Sequence, residues 1–472
     1  LSIKMKRSVI YLVGLLPYLA IANASDLDFK YEVLVDRDLR SLAVSVCFDS
    51  PPPNRLFGND SAGSLVSNPR LDTGEALEVI DEGIVITETE LGRCIFYDVL
   101  LQPRTQGEQR GGAETRLVGQ KHMLTSIGDW LLRPEPDSGY RQFQISFRMP
   151  SGRYVSAPWK RTGEALFVGY NSPIAWEGVV VFSHQKSDVI EVNNSIFEVT
   201  ILGKFPRLDR EDFNSWIREA AQGVSSLLGF FPRSRVQVII TPSDRGSAII
   251  PWAYITRGGG AAIHLFVRRS ANLEQLLWDW SLPHEMSHFM LPHIDSGDYW
   301  LIEGLPTYLQ HLSMTRSGSI SPDEAWSRLN SGFLSGERAG NGSTVSESTA
   351  RLAKRGTYRH VYWGGAAFFF RRDVELRVRS GGNESLLEIL MKYHECCYDE
   401  SQSVSADLLL GDFDSFLGYD FFMSRKRLDI EVQMFPDYAD AFQELGLQFL
   451  GGHPVYAREV RNGIAEQIMS VD

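Results

Sequence analysis

The length, composition and charge of the chain exclude some classes of protein at once. Its 472 residues are enough for two or three domains with a large hydrophobic core, at ~100 to 200 residues per domain. The 59 acidic residues outnumber the 47 basic ones, and the formal net charge of -12 argues against nucleic acid or anionic lipid as the main partner.

The first residues have the pattern of a signal peptide. Three basic side chains within residues 4–7 precede an apolar run at residues 9–21, and small residues at 22 and 24 stand ahead of a cut before Ser25. We therefore predict a signal peptide over residues 1–24 and export to the periplasm or the extracellular space. Its removal takes away three positive and no negative charges, so the net charge moves from -12 to -15. The alternative is a retained membrane anchor, but the run is shorter than the ~20 residues that span a bilayer.

Residues 25–185 have an all-β pattern. Short apolar runs with strand-forming residues are separated by Pro, Gly and Asn-rich turns, at residues 31–35, 42–48, 83–86, 94–97 and 143–147. This pattern predicts an N-terminal β-sandwich domain, with an exposed loop at residues 106–114. Cys47 and Cys94 lie in two of these runs. The sequence allows either a disulfide between them across the domain or two free thiols.

From residue 186 the pattern changes to alternating strands and helices. A strand at residues 196–202, a helix at residues 209–228 and a strand at residues 236–240 indicate an α+β domain that extends over residues 186–472. We expect no stable membrane span after cleavage of the signal peptide, and the sequence does not predict an oligomeric state.

A glycine turn at residues 258–260 leads into the next strand. No Gly-Lys-Ser/Thr follows it, so it is not a phosphate-binding loop. An exposed sheet edge can pair with an extended peptide, which makes Gly260, Ala261, Ala262 and Ile263 candidate substrate-binding residues. The alternative is an internal core strand.

The strongest motif is His284-Glu285-Met286-Ser287-His288. On a helix, positions i and i+4 share one face, so the two imidazoles can bind one metal ion. Zinc fits neutral imidazole ligands, and a catalytic zinc site has three protein ligands and an open position. Pro283 precedes the motif, so the apolar run before it must kink or end there. Ser281 is a candidate cap for the restarted helix.

Two residues are candidates for the third ligand. His293 lies five residues after His288, but the pattern that uses a third histidine requires a glycine where Leu291 stands. We prefer Glu303, because a turn through residues 295–297 and a returning helix would bring its carboxylate to the two histidines.

Glu285 is the candidate general base. A bound zinc ion lowers the pKa of water from ~15.7 towards ~7, and Glu285 would take the proton before the hydroxide attacks a carbonyl. It would later pass this proton to the leaving amine. The alternative to a metal site is a pair of buried, hydrogen-bonded structural histidines.

The last part of the chain is predicted to be helical with loops. Helices are predicted from Tyr362 through Leu376, at residues 385–393 and at residues 437–450, where a closing helix is expected. Residues 331–357 are rich in Ser, Gly and Arg, a composition typical of a mobile segment that would act as a flap over a cleft. The adjacent Cys396 and Cys397 allow either a vicinal bridge or two free thiols.

The spacing of these motifs resembles the gluzincin peptidases. The pattern comprises His284-Glu285-x-x-His288, then Trp300-Leu301-x-Glu303-Gly304-x-x-x-Tyr308, then Tyr362-x-x-Gly365. It is most similar to the glycyl aminopeptidase family, which is related to aminopeptidase N and leukotriene A4 hydrolase. The resemblance implies a β domain ahead of a thermolysin-like, mainly helical zinc peptidase domain. It implies that one zinc ion is bound by His284, His288 and Glu303. It further implies that Glu285 is the base and that Tyr362 donates a hydrogen bond to the developing oxyanion. His360 and Tyr358 are weaker candidates for the oxyanion donor.

Two features depart from the family pattern. Only residues 289–302 separate His288 from Glu303, which requires a tight connection. In addition, the family aminopeptidases have a Glu before the zinc helix that holds the free amine of the substrate, and Ile263 stands in its place. The sequence therefore predicts an exported zinc metallopeptidase acting on peptides or proteins, and leaves aminopeptidase and endopeptidase open. The competing hypotheses are a non-catalytic peptide- or envelope-binding protein that retains the fold, and a pseudoenzyme disabled by the short connection.

Overall fold

The computed structural model describes residues 27–87, 93–103, 115–119, 121–136, 139–171, 178–257, 259–352, 357–400, 402–457 and 463–470. The fold is mixed α+β, as predicted. The predicted signal peptide and the loop predicted at residues 106–114 lie outside the described residues. None of the helices in these ranges combines the length and the apolar character needed to cross a bilayer.

Strands dominate the first part of the chain. They are, in order, β1 Phe29–Val35, β2 Ser41–Phe48, β3 Arg55–Phe57, β4 Val66–Leu71, β5 Glu78–Ile80, β6 Gly83–Val85, β7 Cys94–Leu100, β8 Arg116–Val118, β9 His122–Ser126, β10 Gln142–Arg148, β11 Tyr154–Ser156, β12 Lys160–Gly163, β13 Leu166–Tyr170 and β14 Val179–Ser183, with the short helix α1 Ile127–Trp130 between β9 and β10. The five predicted runs all overlap strands.

Two larger sheets share the first hydrophobic core. Their strand orders are β12-β13-β10-β1-β2-β7-β4 and β11-β14-β9-β8, and a small third sheet has the order β3-β6-β5. Alternation of side chains explains the burial, since every second residue of β1 is buried and the others are exposed. Phe147 of β10 and Phe182 of β14 meet edge-on with ring centroids 5.9 Å apart, so the two sheets contact each other directly. Cys47 and Cys94 are opposite each other on β2 and β7 and form a disulfide.

The second part begins with a five-stranded sheet. Its strands are β15 Asp188–Val192, β16 Ser195–Ile201, β17 Arg235–Ser243, β18 Trp252–Thr256 and β19 Ala262–Arg268, in the order β15-β16-β17-β19-β18. The helix α2 Arg210–Leu228 connects β16 to its parallel neighbour β17. The Asp209 and Asp212 side chains form a capping box at the start of α2, which explains why the predicted helix begins there.

The remainder is mainly helical. Its helices are α3 Leu273–Trp278, α4 Ser281–Ser287, α5 Tyr299–Arg316, α6 Pro322–Ala339, α7 Val345–Ala350, α8 Tyr358–Ser380, α9 Leu386–Cys396, α10 Ala406–Leu417, α11 Phe422–Lys426, α12 Tyr438–Glu444 and α13 Ile464–Met469. Short strand pairs are β20 His293–Ile294 with β21 Ser403–Val404, and β22 Leu447–Leu450 with β23 His453–Tyr456. The described side chains of α5 are mostly buried, and this helix lies between α2, α4, α6 and α8.

Two predictions for this region were wrong. Residues 331–357 were predicted to be a mobile segment, but their described part is mainly helical, because α6 continues to Ala339 and α7 follows with a capping box between Thr344 and Glu347. Phe333 of α6 is fully buried among aromatic rings, which outweighs the Ser- and Gly-rich composition. The predicted closing helix at residues 437–450 ends at Glu444, because Gly446 has a positive φ of 69° and the chain turns there into β22.

His264 on β19 is buried at the contact between the two parts of the chain. Its ring stacks on Tyr254 with centroids 4.4 Å apart, and neither ring nitrogen has a hydrogen-bond partner among the described residues. Burial, and then the positive charge of Arg116, lowers the pKa of His264 to about 3. A charged imidazole is therefore excluded from the folded state near neutral pH.

We expect His264→Phe to reduce the acid sensitivity of folding. The folded-state pKa of His264 lies below the ordinary ~6.5. The contribution of neutral His264 to the free energy of unfolding is therefore complete above pH ~6.5 and is lost as the pH falls towards about 3. When the pH is lowered from ~6.5 to ~5, protonation of His264 in the unfolded state should reduce the free energy of unfolding of the wild type by about 2 kcal/mol. Urea unfolding of metal-free protein at both pH values measures the difference. His453→Phe, at an exposed position, is the control and should retain the wild-type pH dependence.

Candidate metal centre

The helix that carries the histidine motif is short and starts abruptly. α3 ends at Trp278 and α4 begins at Ser281, so the predicted break before the motif is confirmed and Pro283 lies in the first turn of α4. The proposed cap at Ser281 was wrong. Ser281 is itself helical, and its backbone N–H donates to the Asp279 carboxylate at 2.8 Å, since a carboxylate is a strong acceptor at a helix start.

His284 and His288 lie on one buried face. His284 is in α4, and His288 begins a single 3₁₀ turn that directly continues it. Their rings meet edge-on with centroids 4.8 Å apart, and the two residues are only 3% and 6% exposed. The i, i+4 spacing therefore brings the two imidazoles together as predicted.

Glu303 on α5 completes a group of three ligand atoms. Its Oε2 lies 3.1 Å from His284 Nε2 and 3.6 Å from His288 Nε2. A tetrahedral zinc ion with bonds of ~2.1 Å would hold its ligand atoms ~3.4 Å apart, which is close to these two separations, and all three ligand atoms lie within 4.8 Å of one another. Among the described residues, this is the one group of His, Cys, Asp and Glu side chains that could hold a metal. The role of the three residues as ligands stays a prediction.

The short connection does not displace Glu303. After the 3₁₀ turn the chain forms β20, which pairs with β21, then a second 3₁₀ turn at Ser296–Asp298, and then enters α5. His293, the alternative third ligand, lies outside the group, and its Nδ1 is 3.0 Å from Ser403 Oγ. The geometry therefore favours Glu303 over His293.

The position of Glu303 depends on a close crossing of α5 and α8. A Cβ added at Gly304 would lie 2.4 Å from the Gly365 Cα, and one added at Gly365 would lie 1.9 Å from the Trp300 carbonyl oxygen. No side chain fits at either position, so two glycines are required for the helices to approach this closely. The crossing explains why the motif has a glycine after Glu303 and another three residues after Tyr362.

Gln310 orients the first histidine and was missed in the sequence. Its Oε1 lies 2.8 Å from His284 Nδ1, and its Nε2 lies 3.2 Å from His311 Nε2. A donor at Nδ1 leaves the lone pair of Nε2 free, which is the tautomer that a metal ligand requires. Gln310 is seven residues after Glu303, two turns along the same face of α5, and that spacing is the signal that could have identified it.

Glu285 is buried beside the metal-capable group. It is 8% exposed, and burial raises the pKa of its carboxyl to about 7. This value suits a group that exchanges protons near neutral pH. Burial alone would raise the pKa of Glu303, but the His288 and His284 imidazoles lower it below its ordinary value, so Glu303 is ionised. The two carboxylates therefore differ in protonation behaviour, as a base and a ligand should.

Arg257 is a second residue that the sequence did not single out. Its guanidinium donates to the carbonyl oxygen of His288, and at 3.3 Å to that of Pro292. Burial lowers its pKa to about 10, which leaves it charged, and its charge acts on both Glu303 and Glu285. It therefore fixes the backbone of the second histidine and places a positive charge near the two carboxylates.

Tyr362 on α8 faces His284. The two rings are parallel, with an interplanar angle of 3° and centroids 6.3 Å apart. Burial and then the Glu303 and Glu285 carboxylates raise the pKa of the Tyr362 hydroxyl, so it stays protonated and can donate. The two alternatives fit less well. His360 is fully buried with Nδ1 2.7 Å from Ser348 Oγ, and Tyr358 is half exposed and touches Tyr362 edge-on.

The predicted substrate-binding strand is not at a sheet edge. β19 is paired on one side with β17 and on the other with β18, and Ala262 and Ile263 are fully buried. Ala261 is also buried, and a Cβ at Gly260 would lie 2.4 Å from the Pro158 carbonyl oxygen. The prediction of an exposed edge was therefore wrong, because the sequence did not reveal β18. β18 is the last strand of the described sheet on the side nearer α4.

Comparison with solved structures identifies known proteins that share this fold. No family model and no curated protein matches this sequence. Among solved structures, an aminopeptidase N family protein from Idiomarina loihiensis aligns with a TM-score of 0.68 at 14% identity, covering 89% of this chain and 78% of that one. An M1 zinc metallopeptidase from Deinococcus radiodurans, as a mutant bound to a Tyr-Ser-Ala substrate, aligns with a TM-score of 0.51 at 13% identity, covering 85% and 93%.

A two-domain M1 zinc metallopeptidase, as a mutant bound to L-arginine, gives a TM-score of 0.52 at 13% identity, covering 85% of this chain and 92% of that one. At these identities the likeness is one of fold. The resemblance to gluzincin aminopeptidases that the motifs indicated is confirmed at that level.

Proposed function

We propose that this protein, which has the fold of the M1 zinc metallopeptidases, is an exported zinc-dependent peptidase. The observation that carries the proposal is the convergence of His284, His288 and Glu303, whose ligand atoms all lie within 4.8 Å of one another, with Glu285 and Tyr362 beside them. We further propose that residues 25–185 form a β-sandwich domain and that residues 186–472 form a thermolysin-like catalytic domain. About one zinc ion per chain is expected.

Zinc bound to these three residues would acidify water and polarise a peptide carbonyl. Glu285 takes the proton from the attacking water and delivers it to the leaving amine, which its pKa near 7 permits in both directions. The Tyr362 hydroxyl donates a hydrogen bond to the carbonyl oxygen as negative charge develops there. Gln310 holds His284 in the tautomer that presents Nε2, and Arg257 holds the backbone of His288.

An extended peptide bound along β18 is the substrate that this geometry supports. β18 runs from Trp252 to Thr256, and its outer side has no partner strand among the described residues. Backbone pairing there would bring a peptide towards α4. Ile263 stands where the related aminopeptidases have the Glu that binds the free amine, and its burial gives an amine no access to it. Whether the enzyme is an aminopeptidase or an endopeptidase is decided by its tolerance of a blocked amino terminus.

The decisive experiment compares peptides that differ only at the amino terminus. Zinc-loaded protein is incubated with a peptide library in free and acetylated form, and the products are identified by mass spectrometry. Cleavage that chelation abolishes and zinc restores supports a zinc peptidase. Equal cleavage of both forms indicates an endopeptidase, and cleavage of the free form alone indicates an aminopeptidase. Zinc and peptide binding without cleavage of either form would favour the non-catalytic binding protein.

Tyr362→Phe should lower kcat by about 10²- to 10³-fold while zinc is retained. The substitution removes one donor to the developing oxyanion and keeps the ring that faces His284, so ground-state binding and KM should change little. Steady-state kinetics on the best library peptide measures the effect. Tyr358→Phe, one turn away on α8, is the matched control and should retain wild-type kcat; a larger loss in that variant would transfer the role to Tyr358.

A further inference from the structure

The turn that follows α4 is held by side chains from other segments. Residues 288–292 lie beyond α4, where the Leu291 N–H donates to the His288 carbonyl oxygen at 3.2 Å and the carbonyl groups that follow continue no helix. Arg257 binds the carbonyl oxygens of the first and last of these residues. His394 Nε2 lies 2.8 Å from the Met290 carbonyl oxygen. The Tyr398 hydroxyl lies 3.3 Å from the Leu291 carbonyl oxygen and 3.5 Å from that of Phe289. The backbone around His288 is therefore held by Arg257, His394 and Tyr398 together.

His394 and Tyr398 are positioned by each other. Their rings stack with centroids 4.3 Å apart at an angle of 14°. Arg233 packs over Tyr398, with its guanidinium carbon 5.0 Å from the Tyr398 ring centroid. The two donors therefore reach the turn as one unit. This stacking requires the chain to reverse its direction between residues 394 and 398.

A vicinal disulfide lies within that reversal. Cys396 is the last residue of α9, Cys397 follows it, and the two are bonded to each other. A bond between adjacent cysteines closes a small ring that restricts the peptide between them. The backbone N–H groups of Cys397 and Tyr398 both donate to the Tyr393 carbonyl oxygen, at 2.9 and 3.0 Å, which folds Tyr398 back onto His394. Both cysteines are exposed, so a reductant can reach them.

We propose that Cys396–Cys397 is a redox modification site whose reduction by a dithiol loosens the turn that carries His288. The reductant supplies two electrons and two protons, its two thiols become a disulfide, and the Cys396–Cys397 bond becomes two thiols. Opening the ring frees the peptide between residues 394 and 398, and His394 and Tyr398 lose their shared position. The Met290 carbonyl oxygen then loses the His394 donor, and the Leu291 carbonyl oxygen loses the single Tyr398 hydroxyl donor, which also lies near the Phe289 carbonyl oxygen. For the zinc site this inference rests on the function proposed above.

The test compares the oxidised wild type, the reduced wild type and Cys396→Ser/Cys397→Ser, a variant that cannot form the bond. Each sample is reduced with dithiothreitol or left oxidised, and is freed of reductant by gel filtration under argon. The metal-free protein is examined by hydrogen–deuterium exchange over residues 286–294. The zinc-loaded protein is examined by the rate of zinc release to a chelator and by peptide cleavage.

Reduction should speed both amide exchange over residues 288–291 and zinc release by about five- to tenfold, the effect of losing one or two hydrogen bonds. Cys396→Ser/Cys397→Ser should show the fast rates without reductant and should not respond to it. A response that persists in this variant would assign the effect to Cys47–Cys94 and overturn the proposal. Unchanged exchange and unchanged zinc release in the reduced wild type would overturn it as well.

Tyr398→Phe provides an independent route to the same outcome. It removes the hydroxyl but keeps the ring that stacks on His394, so folding should be preserved and zinc release should accelerate without reduction. Unaltered zinc release in this variant would contradict the role given to Tyr398. The exchange measurement separates this inference from the proposed function, because it needs no metal. A wild type that never binds zinc would refute the metal site, whereas redox-insensitive exchange would refute only the switch.

Discussion

Glu285→Gln is expected to bind about one zinc ion and to lose kcat by about 10²- to 10⁴-fold. The amide has the shape of the carboxylate but cannot accept a proton from water, so the attacking nucleophile is not formed. Glu285 contributes no atom to the metal-capable group, so metal affinity should change little. Zinc is measured by elemental analysis and kcat with the best library peptide. Since KM reports ground-state binding here, it should stay within a few-fold of the wild-type value.

Glu274→Gln is the matched control for this variant. Glu274 lies in the first turn of α3, is exposed, and is not part of the site. It should keep wild-type kcat and zinc content. Near-normal activity in Glu285→Gln would remove Glu285 from the mechanism, and loss of zinc in that variant would mean that its carboxylate supports the metal rather than the proton transfer.

Glu303→Ala is expected to weaken zinc binding by more than about a hundredfold. Removal of the carboxylate leaves two imidazoles, and even loss of an outer partner of a ligand typically costs ~10- to 100-fold in metal affinity. The substitution also removes the negative charge that faces both histidines, 3.1 Å from His284 Nε2 and 3.6 Å from His288 Nε2. Competition with a fluorescent chelator gives the dissociation constant for wild type and variant.

His293→Ala is the informative comparison. His293 is the alternative third ligand from the sequence, and in the structure it contacts Ser403 instead. The variant should bind zinc as tightly as the wild type. Full zinc binding by Glu303→Ala together with loss in His293→Ala would reverse the assignment and would require the connection between α4 and α5 to rearrange.

Local spacing made the centre of the site predictable. The i, i+4 relation places His284 and His288 on one face wherever a helix forms, and Pro283 shows where that helix must begin. A returning helix could be inferred from the turn residues before Trp300, and Glu303 followed from it. These features depend on neighbours within a few turns of the chain, which a single sequence displays directly.

Features that depend on distant segments were not predictable in the same way. β18 becomes a sheet edge only because β17 and β19 pair with each other and leave it outside, and no local pattern encodes that order. Arg257, His394 and Tyr398 reach the turn after His288 from far along the chain. Composition predicts a mobile segment at residues 331–357, whereas tertiary burial of Phe333 and a capping box at Thr344 favour helix in its described part.

The crossing of α5 and α8 makes the spacing of two helix backbones determine where Glu303 and Tyr362 lie. Glu303 precedes one glycine of the crossing, and Tyr362 precedes the other by three residues. A methyl group at Gly304 or Gly365 would overlap backbone atoms of the opposite helix, so the helices would have to separate. That separation would carry the Glu303 carboxylate away from the two histidines or the Tyr362 ring away from His284. Redesign of this candidate metal centre should therefore keep both glycines and vary only the residues of the metal-capable group.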